Sequence, residues 1–308
     1  MNNLLFYYFQ LIKRLHTSND VHHTFFGKRV YDIEQSSSII RRMILDGRPC
    51  MVARIGATEI AAINALLNYK TGLKDCVDQS VLDTLCTLSG VFPSNLSTLI
   101  ELYHLYEESC KSLDVAALLM NRREDFFFNQ HCNHSVKYIV LRGLEPYYSK
   151  EPWSSALKDK RVLVISPFSK SIQKQYAVNR SKIWSSPDLL PEFELTTFTA
   201  VNSLANNTHG FDSWFDALSY MKDGISELDF DIAILGCGAY GFPLAAFIKQ
   251  KGKQAIVLGG ATQILFGIKG KRWDSHSIIS HFYNGSWVRP MEEERIPGGF
   301  KVEGGCYW

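Results

Sequence analysis

Two short stretches bring glycine, arginine and a carboxylate to places where α/β proteins do chemistry. The first is Gly236-Cys237-Gly238-Ala239-Tyr240-Gly241, a G-x-G-x-x-G spacing between the apolar run 231–235 (DIAIL) and a helical stretch over 243–251. Glycine lets a backbone come close to a ligand. The free N–H groups at a helix start, with the helix dipole, favour an anion. A dinucleotide site adds an acidic residue about 20 residues on, to hold a ribose. Here Gly259-Gly260-Ala261 follows the next apolar run, 254–258 (QAIVL), and that counts against NAD. The plain alternative is a tight turn packed without a ligand.

The second stretch is Arg54-Ile55-Gly56-Ala57-Thr58-Glu59. Arg54 suits bidentate pairing with a phosphate. Glu59 falls in the first turn of a helix, where it can complement the dipole, bind a metal ion or act as a base. The plain alternative makes Thr58 a helix cap and Glu59 only a dipole partner. A third stretch, 166–176 (SPFSKSIQKQY), carries Ser166 and Lys170 at a strand end, with Arg180 beyond. It reads as a phosphate or sugar site, or as an ordinary cap with a solvated basic face. A fourth holds Lys269, Lys271 and Arg272 between Phe266 and Trp273. It suits a pyrophosphate or anionic lipid, or is a solvated charge run. His131, Cys132 and His134 do not have a zinc-site spacing. Neither G-x-S-x-G nor a P-loop occurs.

These turns need strands and helices to hold them. Helical spacing is expected over 33–45, 59–67, 79–88, 97–109, 169–184, 214–225 and 243–251. Apolar runs over 49–54, 114–120, 137–141, 161–166, 231–235 and 254–258 read as buried strands, with an alternating one over 193–199. Strands alternating with helices imply an α/β fold, a Rossmann-like doubly wound parallel sheet. Prolines near 146–152 divide the chain into a part over 31–150 with the Arg54 turn and a part over 151–308 with the Gly236 turn. Residues 1–30 read as an N-terminal amphipathic, helical extension. Within it, the run 4–9 (LLFYYF) followed by Lys13 and Arg14 is too short to span a bilayer. It reads as a helix packed on the body or as one resting on a membrane.

The 308 residues are 46% hydrophobic and 21% charged, with 33 Lys+Arg against 31 Asp+Glu. That is globular composition, and it excludes both a disordered chain and a nucleic-acid binder held by overall positive charge. Seven scattered cysteines with no CxxC pair read as reduced thiols of a cytoplasmic protein.

The Arg54-Ile55-Gly56-x-x-Glu59 turn and the GAYG-x-PLA segment from Gly238 to Ala245 resemble the GT-D type glycosyltransferases. These are bacterial enzymes that depend on sugar nucleotides. The segments VLVISPFSKSIQKQY, LPEFEL, SWFDALSYM, GCGAYGFPLAAFIKQKGKQAIVLGGATQILFGIKGKRW and VEGGCYW resemble uncharacterised GT-D-like proteins of surface-polysaccharide loci. The resemblance runs from Met51 to Trp308. It implies a GT-D-like fold and transfer of a sugar from a nucleotide diphosphate to a glycan, lipid-linked, in O-antigen or capsule synthesis. The enzyme would be cytoplasmic and peripheral at the inner membrane.

Residues and resemblance together assign catalysis to Glu59 and Arg54. They assign donor and phosphate contacts to Gly56, Thr58, Ser166, Lys170, Arg180, Gly236, Gly238, Ala239, Tyr240, Gly241, Gly260, Lys269, Lys271 and Arg272. The founding enzymes read Arg-Phe-Gly-Asp-Gly-Glu at the first turn, and their Asp-x-Glu is tied to Mn²⁺ or Mg²⁺. Here Ala57 stands at the Asp position, leaving Glu59 as the one metal ligand of the motif. One carboxylate holds such an ion less well than two. The rival readings are another Rossmann-like enzyme, such as an S-adenosylmethionine-dependent methyltransferase, and a non-catalytic nucleotide-sugar-binding protein.

Overall fold

The computed structural model describes residues 28–308. The expected N-terminal extension, with its aromatic and basic run, lies outside the described residues apart from its last few positions. In chain order the elements are β1 (Val30–Tyr31), α1 (Ile33–Asp46), β2 (Cys50–Ala53), α2 (Ala57–Lys70), α3 (Gln79–Ser89) and α4 (Leu96–Cys110). Then come β3 (Val115–Leu118), α5 (Glu124–His131), β4 (Lys137–Val140), α6 (Leu141–Leu144), β5 (Arg161–Ser166), α7 (Ser169–Ile183) and β6 (Glu194–Thr199). The chain continues through α8 (Trp214–Ser226), β7 (Ile232–Leu235), α9 (Gly241–Gln250), β8 (Gln254–Val257), α10 (Ala261–Leu265) and α11 (Lys271–Asp274). Short 3₁₀ turns make up much of the rest.

The eight strands form one sheet in the order β1-β4-β3-β2-β8-β7-β5-β6, with every pairing parallel. The fold is α/β, as the alternation of apolar runs and helical spacing predicts. Strands β2, β3, β7 and β8 are buried along their whole length because helices cover both faces. Alternate residues feed two cores. Met51, Ala53, Ala233, Leu235, Ala255 and Val257 face the core that holds α2, α4 and α9. Val52, Ile232, Ile234 and Ile256 face the core that holds α1, α7 and α10. The period of two along a strand makes this division obligatory.

Strand β2 hydrogen-bonds directly to β8, with Met51 opposite Ala255. The stretches 31–150 and 151–308 therefore meet inside one continuous sheet. At that seam the carboxyl ends of β2 and β8 lie side by side, next to those of β7 and β5. Parallel sheets place ligands outside these ends, where the strand order switches. Among the described residues no helix is long and apolar enough to cross a membrane.

Candidate active site

A cleft of about 280 Å³ opens at the carboxyl ends of β2, β8, β7 and β5. Both turns singled out in the sequence line it. From the first come Arg54, Gly56, Ala57, Thr58 and Glu59, and from the second Gly236, Cys237, Gly238 and Tyr240. Ser166 closes one side, and Gly259, Gly260, Thr262 and Gln263 follow β8 into it.

Helix α2 begins directly after β2. Its N-cap is Gly56, in extended backbone, with no side chain capping the first turn. Thr58 is thus not the cap. A Cβ at Gly56 would push the Glu59 carboxylate out of its present place. Glu59 is only 6% exposed. Burial raises its pKa above the ordinary carboxylate value, against the opposing pull of its own N–H, the Ser89 hydroxyl and the Arg54 guanidinium. Such a carboxyl holds its proton to higher pH than a solvated one.

Arg54 follows β2 directly and reaches across the seam. Its guanidinium lies against Gly259, where a Cβ would meet Nη2, Cζ and Nε, and Gly259 has φ +65°. The left-handed backbone favours glycine there, and a Cβ would displace the Arg54 guanidinium. No hydrogen bond or ion pair joins Arg54 to another described residue, so its donors remain free for a ligand. Gly236 is pressed on Thr262 and on the Gly259 carbonyl, 2.6 Å and 2.9 Å from where its Cβ would stand.

The glycine-rich turn is held from behind. Tyr240 stacks on Trp214, with ring centroids 4.5 Å apart and planes 8° from parallel. The Tyr240 and Ser203 hydroxyls are 2.9 Å apart. The buried Tyr106 hydroxyl donates to the Ala239 carbonyl at 2.8 Å. Ala239 and Gly241 do not line the cleft. Gly241 instead allows α9 to sit on β8, since a Cβ there would stand 3.0 Å from Val257 Cγ1.

The basic residues divide. Arg272 lines the cleft, pairs with Glu303 and lies 4.9 Å from the centre of the Tyr307 ring. Lys170, Arg180, Lys269 and Lys271 do not line it. Lys170 Nζ pairs with Glu293 at 3.1 Å, and Arg180 pairs with Glu192 at 3.3 Å. Lys269 lies over the Tyr283 ring, and Lys271 Nζ donates to the Gly304 carbonyl at 3.0 Å. The start of α7 is taken by the chain itself. Glu294 Oε1 accepts from the N–H groups of Lys170 (2.9 Å) and Ser171 (3.0 Å), and its other oxygen pairs with the Ser171 hydroxyl. A carboxylate 124 residues along the chain supplies the negative charge that the third stretch suggests for a phosphate.

Of the candidate carboxylate partners of Glu59, Asp231 is bound to Arg161 at the amino end of β7, away from the cleft. Asp274 pairs with Arg289 at 2.7 Å. Glu145 accepts from the Tyr147 hydroxyl at 3.0 Å and does not line the cleft. The turn does not fit a divalent cation held by the protein. It offers a single buried carboxylate beside a guanidinium, where a cation needs several oxygen ligands. Among the described residues no three of His, Cys, Asp and Glu gather as a metal cluster.

Sequence reasoning missed Ser89, Asn202, Ser203, Thr262, Gln263, Glu303 and Tyr307 as lining residues. The signal for Thr262 and Gln263 was their place just after Gly259-Gly260 at a strand end.

No family model matches the chain, and no curated protein matches it. Among solved structures, two are similar. The chain resembles domain of unknown function 1792. One of the two is described with the words "The highly conserved domain of unknown function 1792 has a distinct glycosyltransferase fold". It is 14% identical, covers 87% of this chain and 92% of that one, and gives a TM-score of 0.40. The other is a selenomethionine-substituted structure of the same domain, 12% identical, covering 84% and 96%, with a TM-score of 0.36. At this identity and score neither likeness speaks to what the chain does.

Proposed function

We infer that the chain is a glycosyltransferase that moves a sugar from a nucleotide diphosphate to a glycan acceptor, lipid-linked, in surface-polysaccharide synthesis. One observation carries this reading. Arg54, with free donors, and Glu59, with a raised pKa, share one cleft with the glycine turns after β7 and β8. An anion fits against the Arg54 guanidinium and close to glycine backbone. The resemblance of the two turns to GT-D sequences supplies the reaction class.

The roles follow from the geometry. The diphosphate lies along Arg54 and Gly259, with Arg272 further out. The acceptor hydroxyl oxygen attacks the anomeric carbon. The bond from that carbon to the diphosphate oxygen breaks, and the electron pair leaves with the nucleoside diphosphate. Arg54 offsets the charge that develops there. Glu59, in ionised form, takes the hydroxyl proton, and burial makes its carboxylate a stronger base than a solvated one. The membrane contact assigned to the N-terminal stretch would bring the enzyme to a lipid-linked acceptor.

The test is a panel of nucleotide sugars with glycan acceptors, following release of the nucleoside diphosphate. Wild type is expected to consume one donor. Arg54→Ala and Glu59→Gln are each expected to lower turnover by about 100-fold or more, as the loss of a charge-stabilising or proton-accepting group does, with the circular dichroism spectrum unchanged. Near-normal turnover in both variants, or no donor consumed by wild type, would reject the reading.

A further inference from the structure

Two residues that line the cleft each hold a buried polar atom without a hydrogen-bond partner, Thr262 Oγ1 and Gln263 Oε1. Both residues are at most 2% exposed. An unpaired buried polar atom costs free energy, and in native proteins such atoms call for a reason. Gln263 is fixed in orientation, because its Nε2 donates to the Tyr307 carbonyl at 3.1 Å. Its Oε1 is therefore held as a bare acceptor, and what it lacks is a donor.

The cleft has two flanks, set by the two faces of the sheet. Glu59 and Tyr240 stand on the side of α2 and α9. Gln263 and Phe168 stand on the side of α10 and α7, with Tyr307 packed against that same core. Arg54 on Gly259 lies between them at the seam, and Thr262 Oγ1 faces Gly236 there. An elongated ligand with an anionic middle fits this layout. Its middle sits at Arg54 and Thr262. The aromatic flank with Phe168 and Tyr307 suits a flat nucleoside, and the Glu59 flank suits the sugar to be transferred.

We propose that Gln263 is the residue that reads the nucleoside of the donor, its Oε1 accepting a hydrogen bond from a ribose hydroxyl or a base N–H. This rests on the glycosyltransferase reading and adds to it the direction in which the donor lies. A site with a buried acceptor rejects ligands that lack the matching donor, because binding them leaves the acceptor unpaired.

The experiment is calorimetric titration of the full chain with UDP, GDP, CDP and ADP. The tightest binder is then compared with its 2′-deoxy and 3′-deoxy forms and with a form methylated at the base N–H. The same titrations are made with Gln263→Leu and, as a second variant of closer shape, Gln263→Met. One of the three deletions is expected to weaken binding to wild type about tenfold or more. The same deletion should weaken binding to the variants by less than about twofold, because the partner atom is already gone. A ribose deletion and a base deletion distinguish the two sources of the donor. A purely structural role for Gln263 would lower affinity for every ligand by the same factor and leave the deletion cost unchanged; that result overturns the proposal. So does a wild type indifferent to all three deletions. If none of the four diphosphates binds, the glycosyltransferase reading fails and this inference with it.

Discussion

At the residue scale, the chain spends stability on groups it holds out of water. Glu59 is one, and Glu124 is another. Glu124 is fully buried, accepts from the N–H groups of Leu119 (3.2 Å) and Asn121 (3.0 Å), and has its pKa pushed by burial from 4.5 to about 7. The sign of the pH effect follows. Between about 4.5 and about 7 the folded chain keeps a proton that the unfolded chain has released. Stability from this group is full below that window and falls as pH rises through it, by up to about 1.4 kcal/mol per pH unit. Denaturant unfolding from pH 4 to pH 8 is expected to show a shallower decline for Glu124→Gln than for wild type. Parallel curves would contradict the assignment. The Arg54-x-Gly56-x-x-Glu59 turn was legible in the sequence because its residue types name their chemistry. The orphaned acceptor of Gln263 was not, because it depends on where the Tyr307 carbonyl lies, 44 residues on.

At the element scale, the strands were legible because burial on both faces writes them as unbroken apolar runs, as in 161–166 and 231–235. Other elements left no such trace. Strand β1 has two residues, too few to show a period. Helix α5 (EDFFFNQH) places three aromatics in a row instead of on one face. The basic residues beside strand ends were legible as charges but not as site residues. Their partners, such as Glu293 and Glu294, come from the far C-terminal segment. The glycine turn after β7 depends on α4 and α8 for its shape, through Tyr106 and Trp214. Tyr106→Phe leaves the Ala239 carbonyl without its buried donor, which costs about 1–3 kcal/mol. Thermal or denaturant unfolding is expected to show that loss, together with weaker nucleotide binding. Unchanged stability would mean that the turn holds itself.

At the scale of the whole molecule, the stretches on either side of residues 146–152 contribute strands to one parallel sheet. Both cores cross the seam: the first holds Met51 and Val257, the second Val52 and Ile256. Unfolding one half would strip β2 or β8 of its neighbour and open both cores. The halves are therefore expected to unfold together. Trp214 reports on the later half, and Phe127→Trp places a reporter in the earlier one. In denaturant titrations of single-tryptophan variants, the two reporters should give coincident transitions, whereas separated midpoints would show two independent units. The same seam makes the site, since Arg54 comes from one half and Gly236, Gly259 and Gln263 from the other. Amide hydrogen exchange with and without the tightest-binding nucleoside diphosphate tests this most directly. Protection is predicted to rise together over 54–59, 236–241 and 259–263 in wild type, and to be lost from all three in Arg54→Ala. Protection confined to one of these segments, or to none of them, would contradict a shared anion site at the seam.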